Sequence, residues 1–514
     1  MFTLAFGWVF LWSVFGNKSF GYHPLVSVFL AVGFAALLLF LWRLLARFAP
    51  FWRRWGRLVC LGAMAVLGAA QLAIGLALRF TPSYDMDAIF GGGIYWAENG
   101  TLATSDYYMA YFHMFPNNMG GLFLLRCVFG AARFLGATDY FAVAVALNVL
   151  LMQAAVYLSW DLTRRAFGPM VAAFCLLLFV VFVPFYMMGA VFYTDLLSVV
   201  FPILMLDLFL IGKKQKTSAK KWAVFLLLGL VCGVGTLVKL PSVIAFLAIV
   251  VAALAGIRRP PLKEYLAKTL LPLAASALVM ALVLGLFQLF VTGRTLDDER
   301  LEKESMPLSH WVAMGLMGEG GYDEADYDRA MKLPSKTARE EVNRQLIITR
   351  LTQPSLAELG ALFTRKAVRC FGDGTYGLSI FLDDGPHHWS TLHDFVLFEG
   401  KHYSLYSHFC QGLYLGVFSL VLAGAAKASL RMGKTWRFYR FPAPWIALFG
   451  LLLFLLLWET NSRYTLNYMP VLFVCAAAGA SVLLPAKARS SSLTKRLAAS
   501  SVEVPATEAP IPRA

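Results

Sequence analysis

Residues 81–118, TPSYDMDAIFGGGIYWAENGTLATSDYYMAYFHMFPNN, hold Asp85, Asp87, Glu98 and Asp106 but no lysine or arginine, directly behind a long apolar run ending at Phe80. A carboxylate at a bilayer boundary costs free energy unless it faces water, a partner or a substrate. Two such acids, two residues apart at the exit of an apolar helix, therefore mark either a working site or an outer loop that only obeys topology.

The rest of the chain settles the class. Of its 514 residues 59% are hydrophobic and 15% charged, whereas soluble domains hold about 45–50% apolar and about 25% charged residues. Apolar runs recur that reach or approach the roughly 20 residues a helix needs to cross about 30 Å of hydrocarbon. This is an all-α polytopic membrane protein. The formal net charge of +15 does not point to nucleic acid, because the basic residues sit in short clusters between apolar runs, as the positive-inside rule requires. Seven cysteines lie singly, without C-x-x-C spacing, and offer neither a disulfide framework nor a zinc site.

Working outward from the acidic stretch, charge alternation predicts about twelve spans with both termini cytoplasmic. Residues 2–15, which lack the basic and small-residue pattern of a signal peptide, read as a retained first span, and 24–44 as a second. The arginines 43, 47, 53, 54 and 57 place the next connection inside, so that the span 58–78 delivers residues 81–118 outside. Arg126 and Arg133 share one helical face within 119–136, which fits a helix lying on the outer surface. Further spans are expected at 140–160, 169–187 and 196–211. The stretch 222–257 has cytoplasmic basic clusters on both flanks and must cross twice, turning near Lys239 and Pro241. Spans at 269–291 and 403–425, one ending at Trp458, and one at 469–484 complete the set.

The expected organisation is a membrane module over 1–291 that includes a catalytic loop at 81–138, an extracytoplasmic region at 292–402, terminal spans at 403–484 and a disordered cytoplasmic tail at 485–514. Within 292–402, residues 311–330 read as a loop and TAREEVNRQLIITRL (337–351) as an amphipathic helix.

With this topology, the polar residues at span ends converge on one side: Asp85, Asp87, His113, Asn117, Asn118, Tyr193, Asp195, Lys239, His310, Glu459, Arg463 and Tyr464. Singly, each has an ordinary structural reading as an anchor or helix cap. Together, carboxylates with lysine and arginine at the boundary can grip an anionic lipid headgroup while one carboxylate acts as a general base.

Several motifs then carry a resemblance: SYDMDAIF (83–90), YFHMFPNN (111–118), FYTD (192–195), GVGTLVKLPS (233–242), HWVAMGL (310–316) with GGYD (320–323), and ETNSRYTLNYMP (459–470). In order and spacing, over residues 58–484, the chain resembles the GT-C superfamily of membrane glycosyltransferases, most of all bacterial relatives of dolichyl-phosphate-mannose protein mannosyltransferases. The resemblance implies transfer of a sugar from a polyprenyl-phosphate or polyprenyl-diphosphate carrier to a glycan, lipid or protein acceptor outside the cell membrane. It makes Asp85 the base, with Asp87 as the alternative. Where some relatives carry a phosphate-binding lysine in a Lys-Pro-Pro motif, this chain has Pro116-Asn117-Asn118, so Lys239 and Arg463 are the candidate phosphate ligands and Asp195 the candidate to orient the acceptor. Tyr193, Tyr464, Glu459, His113, Asn117, Asn118 and His310 complete the candidate substrate contacts. No cofactor is otherwise implied, although Asp85, Asp87 and Asp195 are a possible set for a divalent ion. The competing classes are a flippase for lipid-linked sugars, since intramembrane charges serve transporters too, and a non-catalytic envelope assembly protein.

Overall fold

The computed structural model describes residues 1–17, 20–256, 262–382, 385–430 and 441–484. The expected tail at 485–514 and parts of the basic links at 257–261 and 431–440 lie outside the described residues. Among those described, the regular elements are helices, and the one β contact is an isolated bridge between Phe80 and Pro386.

Among the described residues eight helices are long and apolar enough to cross a membrane, or nine if the pair Pro169–Val181 and Val183–Ala190, bent by 62°, counts as one span. Three further apolar helices, Phe2–Phe15, Leu240–Leu254 and Ala443–Leu457, fall short of that length. Each of the twelve expected stretches is helical where described, and length and composition support eight or nine of them as full crossings. Pro241 and the break at Lys239 shorten one of these helices, and Pro442 and Pro444 start another late.

The spans differ in what surrounds them. The helix Leu262–Thr295 buries 17% of its apolar window and Pro24–Arg47 22%, whereas Thr194–Lys214 and Ser462–Leu483 each bury 83%. An all-round apolar helix with little protein contact faces lipid, and one enclosed by neighbours forms the bundle core. The two enclosed spans are the ones whose first turns carry Asp195 and Arg463. Close backbone approach sustains this packing: a Cβ at Gly424 would stand 2.2 Å from the Cα of Gly479 on the facing helix.

The bend near Pro184 frees carbonyls that cannot go unpaired in hydrocarbon. Gln71 donates to the Phe185 carbonyl at 2.9 Å, and Asn148 reaches the carbonyls of Met188, Gly189 and Val191 at 3.1, 3.0 and 3.2 Å. These polar residues in mid-span are thus structural, and they fix the chain leading into Tyr193 and Asp195.

Helix Met119–Phe134 is not a span. It packs along Tyr84–Asn99, with Arg126 over the Trp96 ring at 5.5 Å and Arg133 donating to the Ala97 and Glu98 carbonyls at 3.0 and 2.6 Å. Region 292–402 is built of short helices, including the expected amphipathic one at Lys336–Thr352. Buried Arg339 ties it down through the carbonyls of Ala330, Lys303 and Leu333 at 2.9, 2.8 and 3.1 Å.

Candidate active site

Helix Tyr84–Asn99 brings Asp85 to a cavity of about 470 Å³ and turns Asp87 away from it. Residues two positions apart on an α-helix lie about 200° apart around its axis, so the two carboxylates face opposite sides. Asp85 accepts hydrogen bonds from the Tyr111 hydroxyl at 2.6 Å and the Tyr193 hydroxyl at 3.2 Å. Burial and the Asp85 charge raise the Tyr111 pKa well above that of a free phenol, which keeps it a donor. Asn118 in turn donates to the Tyr111 oxygen at 2.7 Å. Asp87 meets the Tyr107 hydroxyl at 3.5 Å, and burial raises its pKa. The residue before the pair, Tyr84, has φ +46°, a left-handed conformation rare for a bulky side chain.

Across the cavity stand two cations from different spans. Lys239, at the break between Ser218–Val238 and Leu240–Ser242, ion-pairs with Asp195 at 2.8 Å and lies over the rings of Tyr464 and Tyr193 at 4.7 and 5.4 Å. Arg463 approaches Asp195 at 3.9 Å, with its guanidinium 5.1, 5.3 and 5.5 Å from the rings of Tyr193, Phe381 and Tyr464. The Asp195 carboxylate is buried behind these cations and does not line the cavity. Glu459 does line it, accepting from Tyr464 at 3.2 Å. Burial raises its pKa against the opposing pull of Arg463 and Tyr464, with Asp85 adding to the rise.

Nine of the twelve expected site residues therefore converge on one cavity: Asp85, Asn117, Asn118, Tyr193, Lys239, His310, Glu459, Arg463 and Tyr464. Three do not. Asp87 faces Tyr107, Asp195 sits behind the cations, and His113 is fully buried elsewhere, its Nε2 accepting the Asp297 backbone N–H at 2.9 Å while Nδ1–H donates to the Met109 carbonyl at 2.7 Å. That pairing occupies both ring nitrogens, so His113 fastens region 292–402 to the 81–118 loop. Among the described residues no three of His, Cys, Asp and Glu gather as metal ligands. Asp85, Asp87 and Asp195 point to different places, so these three do not form the possible shared-ion set.

Other residues emerge only in three dimensions. Buried Asp373 accepts from Tyr22 at 3.0 Å, from the Thr375 N–H and hydroxyl at 2.8 and 2.7 Å, from the Gly377 N–H at 2.8 Å and from Ser462 at 2.9 Å. It thereby locks the residue preceding Arg463. Lys366, also buried, donates to the carbonyls of Trp458, at 2.8 Å, and Gly315. Phe115, Trp311 and Trp458 supply an aromatic wall. The GDGTYG run at 372–377 carries a turn signature, but nothing local tells that its aspartate reaches Tyr22 and Ser462.

The fold and site define a polytopic, helical membrane protein with two carboxylates, Asp85 and Glu459, and two cations facing a common cavity at the span ends. The chain belongs to the family described as conserved hypothetical integral membrane protein, whose model matches residues 16–482. No curated protein matches it. Among solved structures it is similar to the oligosaccharyltransferase AglB from Archaeoglobus fulgidus in complex with an inhibitory peptide and a dolichol-phosphate, at 14% identity and TM-score 0.42, over 88% of this chain and 53% of that one. An oligosaccharyltransferase of the same organism tethered to an acceptor peptide matches at 15% identity and TM-score 0.44, over 84% and 50%. ArnT from Cupriavidus metallidurans bound to undecaprenyl phosphate matches at 14% identity and TM-score 0.36, over 84% and 78%. The chain thus spans about half the length of the archaeal structures it matches.

Proposed function

We propose that the protein is a membrane glycosyltransferase that moves a sugar from a polyprenyl-phosphate-type carrier to an acceptor of the cell envelope, on the extracytoplasmic face. The observation that carries this reading is the division of charge in the cavity. Among the described residues Asp85 is held by two phenols with no cation within ion-pair distance, while Lys239 and Arg463 share Asp195 as the one carboxylate within ion-pair distance of them. A carboxylate without a cation of its own is free to take a proton, and two cations sharing one anion retain positive charge for a phosphate.

In the step this arrangement supports, Asp85 takes the proton of the acceptor hydroxyl. The acceptor oxygen then bonds to the anomeric carbon, and the bond from that carbon to the phosphate oxygen breaks. The lipid phosphate leaves with the electron pair, and its charge is met by Lys239 and Arg463, fixed before the reaction by Asp195 and the surrounding tyrosines. Asp195 is on this reading a positioning residue rather than a group that touches substrate. The test is transfer of radiolabelled sugar from a panel of polyprenyl-phosphate sugars by the purified protein. Transfer from at least one carrier is expected, and the absence of transfer from every carrier, to membrane extracts as acceptor, would remove the reading.

A further inference from the structure

One arm of the cavity is not used by the charged centre. It begins beside Asp85, where Phe115 packs on Tyr111 with ring centroids 5.2 Å apart, continues to Trp311 at 6.4 Å and Trp458 at 5.8 Å, the two indoles parallel within 8°, and ends at Glu459, next in sequence. Tyr322 and Tyr327, 6.1 Å apart, and His310 face the same space. The arm is braced from behind. Arg350 donates to the Ala313 carbonyl at 2.6 Å and to Asp326 at 2.5 and 2.7 Å, tying the helix that carries Trp311 to the helix that carries Tyr327. Burial raises the Asp326 pKa, but Arg350 and Arg329 outweigh it, so this carboxylate stays ionised and keeps its grip.

The chemistry of the arm is selective. Its lining from residues 308–327 contributes indole, phenol and imidazole groups beside the apolar Leu308 and Met314, and no carboxylate, lysine or arginine. Burial lowers the His310 pKa, leaving a neutral ring at pH 7. An isoprenoid chain needs no such interleaved hydroxyls, and the span ends offer it the apolar side chains of Leu237, Leu240 and Phe287, with no hydroxyl among them. A group with an apolar face and a hydroxylated rim suits aromatic rings set among a few polar atoms.

The geometry points to a subsite for an uncharged sugar ring, laid along Phe115, Trp311 and Trp458 with its hydroxyls toward Tyr322, Tyr327 and His310. It rests on the reading of the cavity as a glycosyl-transfer site, and it names the substrate class. The ring belongs either to the donor or to the acceptor.

Binding to the full-length protein in detergent, without turnover, tests it. The probes are fluorescently labelled mannotetraose, maltotetraose and cellotetraose, with a tetragalacturonate as the charged control, and mannosyl- and glucosyl-phosphoryl-polyprenol beside bare polyprenyl phosphate. If the ring is the acceptor's, a neutral tetrasaccharide binds at least tenfold more tightly than tetragalacturonate, and Trp311→Leu removes the difference. If it is the donor's, a sugar-bearing lipid binds at least tenfold more tightly than bare polyprenyl phosphate, and Trp311→Leu removes that difference. Tyr322→Phe, which deletes one hydroxyl at an exposed residue, is expected to weaken the same ligand several-fold and guards against misfolding of the larger substitution. Two results overturn the subsite: no sugar-dependent binding in either series, or competition at Trp311 by farnesyl phosphate or a short peptide alone. Neither result bears on whether transfer itself occurs, which the activity assay measures separately.

Discussion

Asp195 and Lys239 pair at 2.8 Å with the Asp195 side chain only 1% exposed, and Arg463 shares the same carboxylate from 3.9 Å. Breaking a buried pair from one side strands the other charge and typically costs about 3–5 kcal/mol. Asp195→Asn is therefore expected to lower the thermal midpoint and to set Lys239 against Arg463. A bound lipid phosphate replaces the missing negative charge, so added polyprenyl phosphate should raise the midpoint more in the variant than in the wild type. An equal shift in both would show that the two cations do not form the phosphate site.

Arg463 presents a planar fork held among three aromatic rings. A lysine keeps the charge but loses the two-pronged grip. Arg463→Ala is expected to weaken donor binding by about tenfold or more, which corresponds to about 1.4 kcal/mol, and Arg463→Lys by less. Unchanged donor affinity in the alanine variant would take Arg463 out of the site.

Lys366 is buried, and burial lowers its pKa from 10.5 to about 8. Between pH 8 and 10.5 the unfolded chain holds this proton and the folded protein does not, so the penalty of burying the charge is relieved as pH rises. The neutral amine still has two hydrogens for its two carbonyl partners. Measured against Lys366→Met, the wild type should therefore gain relative thermal stability between pH 7.5 and 9.5. A relative loss over that window would show that the charged form is the stabilising one.

The loop 81–118 and region 292–402 touch directly, with the Met306 N–H donating to the Met114 carbonyl at 2.9 Å and His113 bound to Asp297. Single cysteines at exposed Ala103 and Lys332, in a background lacking Cys127, should both react in intact cells with an impermeant thiol reagent, and one at Lys216 should not. Labelling at Lys216 with protection of the other two would invert the proposed orientation.

The helical, membrane-spanning character was legible because apolar length and flanking arginines are local signals, and the convergence of polar residues at the span ends followed from it. Nine site residues came with that convergence. What stayed hidden depended on rotation and depth. Asp85 and Asp87 look equivalent in the sequence, and only the helix that carries them separates their faces. Asp195 reads as a surface cap, yet lies behind Lys239 because its span is enclosed by others. His113 looks like a ligand until Asp297, 184 residues further on, takes its Nε2. Trp311, Asp373 and Lys366 sit in a region whose packing onto 458–462 no short-range pattern announces.

The decisive measurement is the rate of sugar transfer by Asp85→Asn and Asp87→Asn, each beside its donor affinity. Asp85→Asn keeps the shape of the side chain that Tyr111 and Tyr193 hold but removes its basicity, and loss of a general base typically costs about 10²–10⁴ in rate. Transfer should fall by that factor with donor binding retained, while Asp87→Asn, outside the cavity, should stay within a few-fold of wild type. Near wild-type turnover by Asp85→Asn would contradict its assignment as the base, whatever Asp87→Asn does.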